Sequence, residues 1–343
     1  MARNQRIFYA CQAVAITNRG HAPTAATVVK GLQSVGMSST FTLDQVFEMG
    51  QIEIYENIEE VADIEVNLEK VIDGEKLIFD LASNGACKTD VVAATKERCD
   101  VYLAVFDDGL SHATGVPRSV CYNSGMFTSS VAYNYSVDGS ATESVTLVGN
   151  DRFWNAEKGG IAIGETPTNL WTTNSDITSG FDGTDAAVSG VVRRVNVDIA
   201  GSTLPAILKA QGGDDASSEA GLSSNAHIQS ISVSTDFGQE NIQELGRFGP
   251  YHRYATFPVE VTCDFEVLAT SGDLISVSGA GTNLANHDIV IKDTAGTIIN
   301  LGTGGNGKNK LTSVSYSGGD TGGGNATVSY SFSNFNVLTV QGG

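Results

Sequence analysis

Residues 32–50 read LQSVGMSSTFTLDQVFEMG, and residues 228–246 read IQSISVSTDFGQENIQELG. The two stretches align without a gap at an offset of 196. Gln33, Ser34, Ser38, Phe41, Glu48 and Gly50 meet identical residues at Gln229, Ser230, Ser234, Phe237, Glu244 and Gly246. Most other pairs are conservative, such as Leu32 with Ile228, Asp44 with Glu240 and Val46 with Ile242. The match continues with one residue of slippage: Ile64-Glu65-Val66 meets Val259-Glu260-Val261, and Gly74 falls near Gly272. Farther on, DVYLAVF from Asp100 resembles HDIVIK from His287, and FTSSV from Phe127 resembles LTSVS from Leu311. Similar segments recurring in one order imply an internal duplication.

Each copy predicts the same plan. A strand of period-two alternation comes first, as in Gln229–Ser234, followed by a short polar turn or helix over 43–49 or 239–245. Gly50 or Gly246 then stands where a helix C-cap is expected. Copy one continues with two alternating strands, Gln51–Tyr55 and Asp63–Leu68, read as a hairpin; copy two continues with Phe257–Val267. A helix is expected over 88–99, where Val91, Val92, Ala94 and Thr95 form a stripe, and copy two lacks or shortens it. Each copy ends in paired strands: Met126–Val137 with Glu143–Val148, and Lys310–Tyr316 with Ala326–Val340. Asp138-Gly139 and Gly322–Asn325 supply their turns. The expected fold is mainly β, in two tandem units: residues 1–155 and 191–343. Residues 156–190 form a Gly/Ser/Thr-rich connector, and a second such stretch lies near 211–225.

Composition agrees. The chain has 343 residues, 17% of them charged, with 39 Gly and 6 Pro; length and makeup suit two β-rich units with many turns. The 39 acids and 20 bases leave a net charge of −19, which opposes gripping a nucleic-acid backbone but suits a surface that DNA slides past. Five scattered cysteines form no Cys-x-x-Cys, which points to buried thiols in a reducing compartment rather than a disulfide framework. No apolar run approaches the roughly twenty residues of a membrane span, and a soluble protein made in a cytosol is expected.

Catalytic patterns are weak. Gly302-Thr-Gly-Gly-Asn-Gly-Lys-Asn309 nearly fits a phosphate-binding loop, but Asn309 replaces the magnesium-binding hydroxyl and a strand-like segment follows instead of a helix. The five histidines are isolated, no Gly-x-Ser-x-Gly places a nucleophile, and no metal or cofactor is implied. The acids around Glu53, Glu65 and Glu69 read as one solvated face of alternating strands.

Three segments carry a family resemblance. Residues 138–154 (DGSATESVTLVGNDRFW), 230–246 (SISVSTDFGQENIQELG) and 249–261 (GPYHRYATFPVEV) resemble segments of bacteriophage tail tube proteins. With the duplicated partner at 32–72, the resemblance touches most of the chain outside the loops. It implies β-sandwich or small-barrel units, each with a short flanking helix, whose strands join between neighbours around a lumen that DNA traverses without specific binding. It also implies six units per ring, hence three two-unit chains, in rings stacked into a tube. The partners implied are the chain itself, tape measure, tail terminator and baseplate or distal tail proteins. The place implied is the virion tail, assembled in the bacterial host cytoplasm.

On alternation, Ile52, Ile54, Ile64, Val66 and Leu68 are expected on the packed side of an inner-barrel hairpin and Glu53, Glu65 and Glu69 on the other. Val259 and Val261 are expected in the matching strand. Two other readings remain: a distal tail or baseplate hub protein with tube-like units, and a carbohydrate-binding module for host attachment. The second calls for exposed aromatics clustered on one face, and only two tryptophans are present, Trp154 and Trp171. An enzyme has no coherent site.

Overall fold

The computed structural model describes residues 6–108, 117–155, 162–163, 168–169, 181, 190–199, 201–210, 227–270, 272–275, 285–303, 307–319 and 324–342. Its first strands are β1 (Gln12–Asn18), β2 (Leu32–Thr40), β3 (Leu43–Phe47), β4 (Ile54–Glu59), β5 (Asp63–Val71), β6 (Cys99–Val105), β7 (Ser119–Ser136), β8 (Thr142–Gly149) and β9 (Asp151–Asn155). The short pair β10 (Ala162–Ile163) and β11 (Thr168–Asn169) follows. Then come β12 (Ile228–Asp236), β13 (Gln239–Ile242), β14 (His252–Ala255), β15 (Glu260–Leu268), β16 (Val290–Lys292), β17 (Ile298–Asn300), β18 (Lys310–Ser317), β19 (Thr327–Phe335) and β20 (Thr339–Gln341). Helices are brief: α1 (Ile78–Ala82), α2 (Val91–Ala94) and α3 (Ala206–Ala210).

The main sheet runs β18-β19-β15-β12-β7-β8-β5-β2, all antiparallel. Alternation in the sequence makes it two-faced. In β5, Ile64, Val66 and Leu68 are buried while Asp63, Glu65, Asn67 and Glu69 are exposed. β7 serves two sheets: its first half pairs with β6 and β9, its second with β8 and β12. The change of partner falls at Gly125, whose φ of +64° is a left-handed conformation open to glycine. Its N–H donates to Asp100 at 2.8 Å.

One hydrophobic core underlies the whole sheet, drawing on Val14 and Ile16 of β1, on α1, on β15 and β19, and on the small β16-β17-β20 sheet. Phe79 of α1 stacks on Phe237 at 5.9 Å. Glu143, fully buried, accepts hydrogen bonds from Ile78 N–H (2.6 Å), Phe79 N–H (3.1 Å) and the Tyr133 hydroxyl (3.0 Å). Burial still pushes its carboxyl above the usual range, against those bonds and the charge of Lys70.

The strands fall into two series of one order, β2-β5-β8-β7 and β12-β15-β19-β18. Their registers coincide pair by pair. Leu43↔Glu59 through Val46↔Glu56 become Gln239↔Ala255 through Ile242↔His252 at the offset of 196. The bulge between Leu32 and Ser34 recurs between Ile228 and Ser230, and that between Thr128 and Ser130 recurs between Leu311 and Ser313. Small contacts recur too: Ser34 hydroxyl to Glu69 and Ser230 hydroxyl to Glu266, then Gln33 amide to Gly31 carbonyl and Gln229 amide to His227 carbonyl.

Several expectations are corrected. Residues 43–47 form strand β3, not a helix, and Gly50 and Gly246 serve left-handed positions in hairpin turns instead of helix caps. Gln51–Tyr55 does not pair with Asp63–Leu68: β4 pairs with β3, and β5 pairs with β2 and β8. Consequently Ile52 (102% exposed) and Ile54 (42%) are not on a packed side. The helix over 88–99 shrinks to α2, capped by Asp90, because Cys99 already opens β6. Residues 211–225, and most of 156–190, lie outside the described residues.

Phe41 and Phe237 occupy one repeat position, yet Phe41 is 71% exposed and Phe237 fully buried. In urea unfolding of the unassembled chain, Phe237→Ala should cost about 3–5 kcal/mol and Phe41→Ala less than about 0.5 kcal/mol; equal costs would contradict this packing. A second expectation follows from Glu143. Its folded value lies above its unfolded one, so its stabilisation is complete below the ordinary carboxylate range and is lost as pH rises through the raised value. The Tm advantage of wild type over Glu143→Gln should therefore grow from about pH 8 down to about pH 4, and a pH-independent advantage would contradict it.

Candidate functional site

The main sheet ends on two strands whose outer sides pair with nothing among the described residues, β2 and β18. Each such edge is a row of unmet N–H and C=O groups. Position by position, β2 is β12 without its neighbour. Ile231 and Val233 are 3% and 1% exposed because β7 lies beside them, whereas their counterparts Val35 and Met37 are only partly buried. Similarly, β18 carries partly buried Leu311 and Val314 and a Tyr316 that is 53% exposed.

The hairpins repeat the contrast. β13–β14 is docked on the first series of strands. Phe237 N–H donates to the Ser129 carbonyl (2.8 Å), and the Gln239 amide donates to the Thr128 carbonyl (3.0 Å). The Arg253 guanidinium holds Asp63 at 2.6 Å and Asn150 at 3.2 Å. His252 sits edge-on to Phe127 at 5.3 Å; burial, then the charges of Arg98 and Arg19, hold its imidazole below the usual range. β3–β4, by contrast, is exposed at every residue, with apolar Leu43, Val46, Phe47, Ile54, Tyr55 and Ile58 on both of its faces. Its turn holds Met49 and Ile52, as that of β13–β14 holds Leu245, each fully solvent-exposed. An isolated two-stranded hairpin is marginal in water, so a surface this apolar points to a contact.

The open face of the sheet is mainly polar, interrupted by Ala132, Val148, Leu268 and Phe335. β2 contributes Ser34 and Ser38; β5, Asp63, Glu65, Asn67 and Glu69; β8, Ser144 and Thr146; β7, Ser130, Asn134 and Ser136. β12 adds Ser230, Ser232, Ser234 and Asp236; β15, Glu260, Thr262, Asp264 and Glu266; β19, Ser329, Ser331 and Ser333. These seven strands place no Lys or Arg on that face, and the one base is Lys310 at the start of β18. Hydrogen bonds such as Thr146 to Asn67 (2.7 Å) and Asn67 to Glu65 (2.7 Å) tie the side chains together.

The residues singled out from sequence therefore divide among three places. Ile64, Val66, Leu68, Val259 and Val261 lie in the core beneath the sheet, Glu65 and Glu69 on its open face, and Ile52, Glu53 and Ile54 in the exposed hairpin. Sequence reasoning missed the docking residues Gln239, His252 and Arg253. Their signal was chemical divergence at matched positions, where Leu43, Glu56 and Asn57 stand in the other strand series. The phosphate-loop pattern is filled by the protein itself: Gly307 N–H donates to Asp288, Asn309 bonds the His287 and Leu301 carbonyls, and β18 follows. Residues 304–306 of that pattern lie outside the described residues. Among the described residues no cluster of His, Cys, Asp and Glu could hold a metal ion.

Arg253→Ala should undock β13–β14 without unfolding the sheet. The expected cost is about 1–2 kcal/mol, since Asp63 is largely solvated. Amide exchange should rise across residues 239–257; protection unchanged there would show that the ion pair does not hold the hairpin.

No family model matches the sequence, and no curated protein sequence matches it. Solved structures similar to the chain include a tube–sheath complex of an extracellular contractile injection system, at 13% identity and a TM-score of 0.34, covering 46% of this chain and 95% of that one. Another is the tube-terminating cap of the anti-feeding prophage, at 12% identity and a TM-score of 0.34, covering 46% and 95%. A third is the baseplate of that prophage, at 12% identity and a TM-score of 0.31, covering 44% and 97%.

Proposed function

We propose that the chain is a structural tail protein that assembles with itself into closed rings, stacked as the tail tube of a bacteriophage, the conduit for genome ejection. The observation that carries this reading is the pair of strands open at their outer sides among the described residues, β2 and β18, on a sheet whose own middle joins their counterparts, β12 (matching β2) and β7 (matching β18). The two strand series are read as tandem copies of one tube-like unit, residues 1–155 and 191–343, joined through 156–190. Pairing β18 of one chain with β2 of the next repeats the internal joint and removes both edges. Six units then close a ring from three chains, and the exposed turns at Met49, Ile52 and Leu245 contact the stacked ring.

In this assembly the open face lines the lumen, with Glu65 and Glu69 on its surface and Ile64, Val66, Leu68, Val259 and Val261 packed behind it. A lumen nearly free of Lys and Arg gives DNA phosphates no cation to exchange for their counterions, so the genome passes without adhering. No step of bond chemistry and no cofactor enters this role. The remaining partners are tape measure, terminator and baseplate or distal tail proteins, and the place is the virion tail, assembled in the host cytoplasm.

Negative-stain microscopy of the purified chain should show rings or tubes, with a ring mass of three chains. A single ring per particle would favour a distal tail hub instead. Replacing Glu65 and Glu69 by Lys should leave tubes intact and slow genome delivery at low salt; unchanged delivery would argue against a lumen position.

A further inference from the structure

The internal joint gives the register of the joint between chains. This inference rests on the self-assembly reading above and goes further, to named residue pairs. In β7–β12, Asp236 lies opposite Ser130, Ser234 opposite Ala132, Val233 opposite Tyr133 and Ser232 opposite Asn134. The counterpart of each β12 residue in β2 is fixed by the shared offset of 196 and by the matching bulges at Leu32/Ser34 and Ile228/Ser230. The counterpart of each β7 residue in β18 is fixed by their pairing with β8 and β19: Val131 opposite Val145 matches Val314 opposite Tyr330, beside bulges in the same place. The two assignments agree through the shared neighbours, since Val66 opposite Leu147 matches Cys263 opposite Phe332.

We infer that β18 of one chain pairs antiparallel with β2 of a second copy, with Ser313 opposite Thr40, Ser315 opposite Ser38, Tyr316 opposite Met37 and Ser317 opposite Gly36. This pairing covers Val35, Met37, Val314 and Tyr316 as β7 and β12 cover Ile231, Val233, Val131 and Tyr133 within the chain. The β3–β4 hairpin of the second copy then docks as β13–β14 does. Phe41 N–H meets the carbonyl of the bulged Thr312, as Phe237 N–H meets that of the bulged Ser129. Glu56, the counterpart of His252, faces Lys310, the counterpart of Phe127. Leu43 stands where Gln239 bonds the Thr128 carbonyl and meets Leu311, so the contact between chains is more apolar there than the contact within the chain.

The test mixes two single variants, Ser38→Cys and Ser315→Cys, and oxidises them under assembly conditions. Both positions are exposed, and the five native thiols are buried, so folding and background are unaffected. Residues directly opposite in an antiparallel pair lie about 5 Å apart, within the span a disulfide bridges. A cross-linked dimer is expected from this mixture, and it is intermolecular because neither chain carries both thiols. Ser34→Cys mixed with Ser315→Cys should give none, being about 13 Å out of register at four residues. Phe41→Ser should raise the critical concentration for assembly, read by sedimentation, about tenfold, with Tm of the free chain unchanged. Rings visible by microscopy with cross-links absent, or found only in the off-register mixture, would overturn the register and leave the self-assembly reading standing. An unmodified chain that stays monomeric under every condition would overturn both.

Discussion

The antiparallel pairing of β7 with β12 is the contact on which the rest of the molecule depends. Among the described residues it is the link that fuses two four-strand series into one sheet, through seven opposed pairs from Ser230↔Ser136 to Asp236↔Ser130. Without it both strands would be edges, and Ile231, Val233, Tyr133 and Tyr135 would lose a wall. Full burial of such side chains is worth roughly 1.5–3 kcal/mol each, against about 1 kcal/mol for a typical backbone hydrogen bond. The joint is therefore held mainly by the core beneath it, and the hydrogen bonds fix its register. Phe237 shows how far the joint reaches, since pairing of β12 delivers it onto Phe79 of α1, in the other strand series.

This joint is head-to-tail: the last strand of one series meets the first strand of the next. Such a contact differs from a two-fold one in leaving a complementary edge at either end, and repetition generates a ring or an open filament according to its rotation. Strand twist makes each added strand turn the sheet further, so a fixed joint, if repeated, has a definite curvature. The double role of β7 restricts that curvature. Its first half is committed to β6 and β9, so its second half cannot rotate freely against β12.

Much of the sheet was legible in the sequence because one face is buried and the other is not. That condition writes period-two alternation into β5, β12, β15 and β19, and the sequence match at an offset of 196 aligns β2 with β12. The hairpins were illegible for the opposite reason. Leu43, Val46 and Phe47 have helical spacing, and β3–β4 buries neither face in the chain alone, so no alternation betrays a strand. The short α2 was overread for a related reason: Val91, Val92, Ala94 and Thr95 form a helical stripe, but Cys99 is claimed by β6, which is buried at every residue. Of the candidate site, the open-face acids Glu65 and Glu69 were readable, and the edges were not. An edge is a property of which strand is absent beside it, and only β12 next to β2 makes that absence visible.

On the proposed assembly, the divergence between the two strand series follows from the different tasks of their joints. A joint within a chain forms at the high effective concentration that connectivity provides, so it tolerates polar, directional locks such as Gln239 on Thr128 and Arg253 on Asp63. The proposed joint between chains would have to gain more than the loss of free translation and rotation, and apolar groups at Leu43, Phe41 and Met37 would supply that gain without demanding one geometry. The net charge of −19 opposes it. In the proposed ring, acids on the open faces of neighbouring chains would be brought together, and water-filled space screens them only over about 8 Å at physiological salt. On that proposal, apolar edges favour association and acidic faces resist it. The same balance would make growth onto a ring of the proposed kind easier than a first encounter, since an added chain would gain a formed edge and a docking site for its hairpin at once.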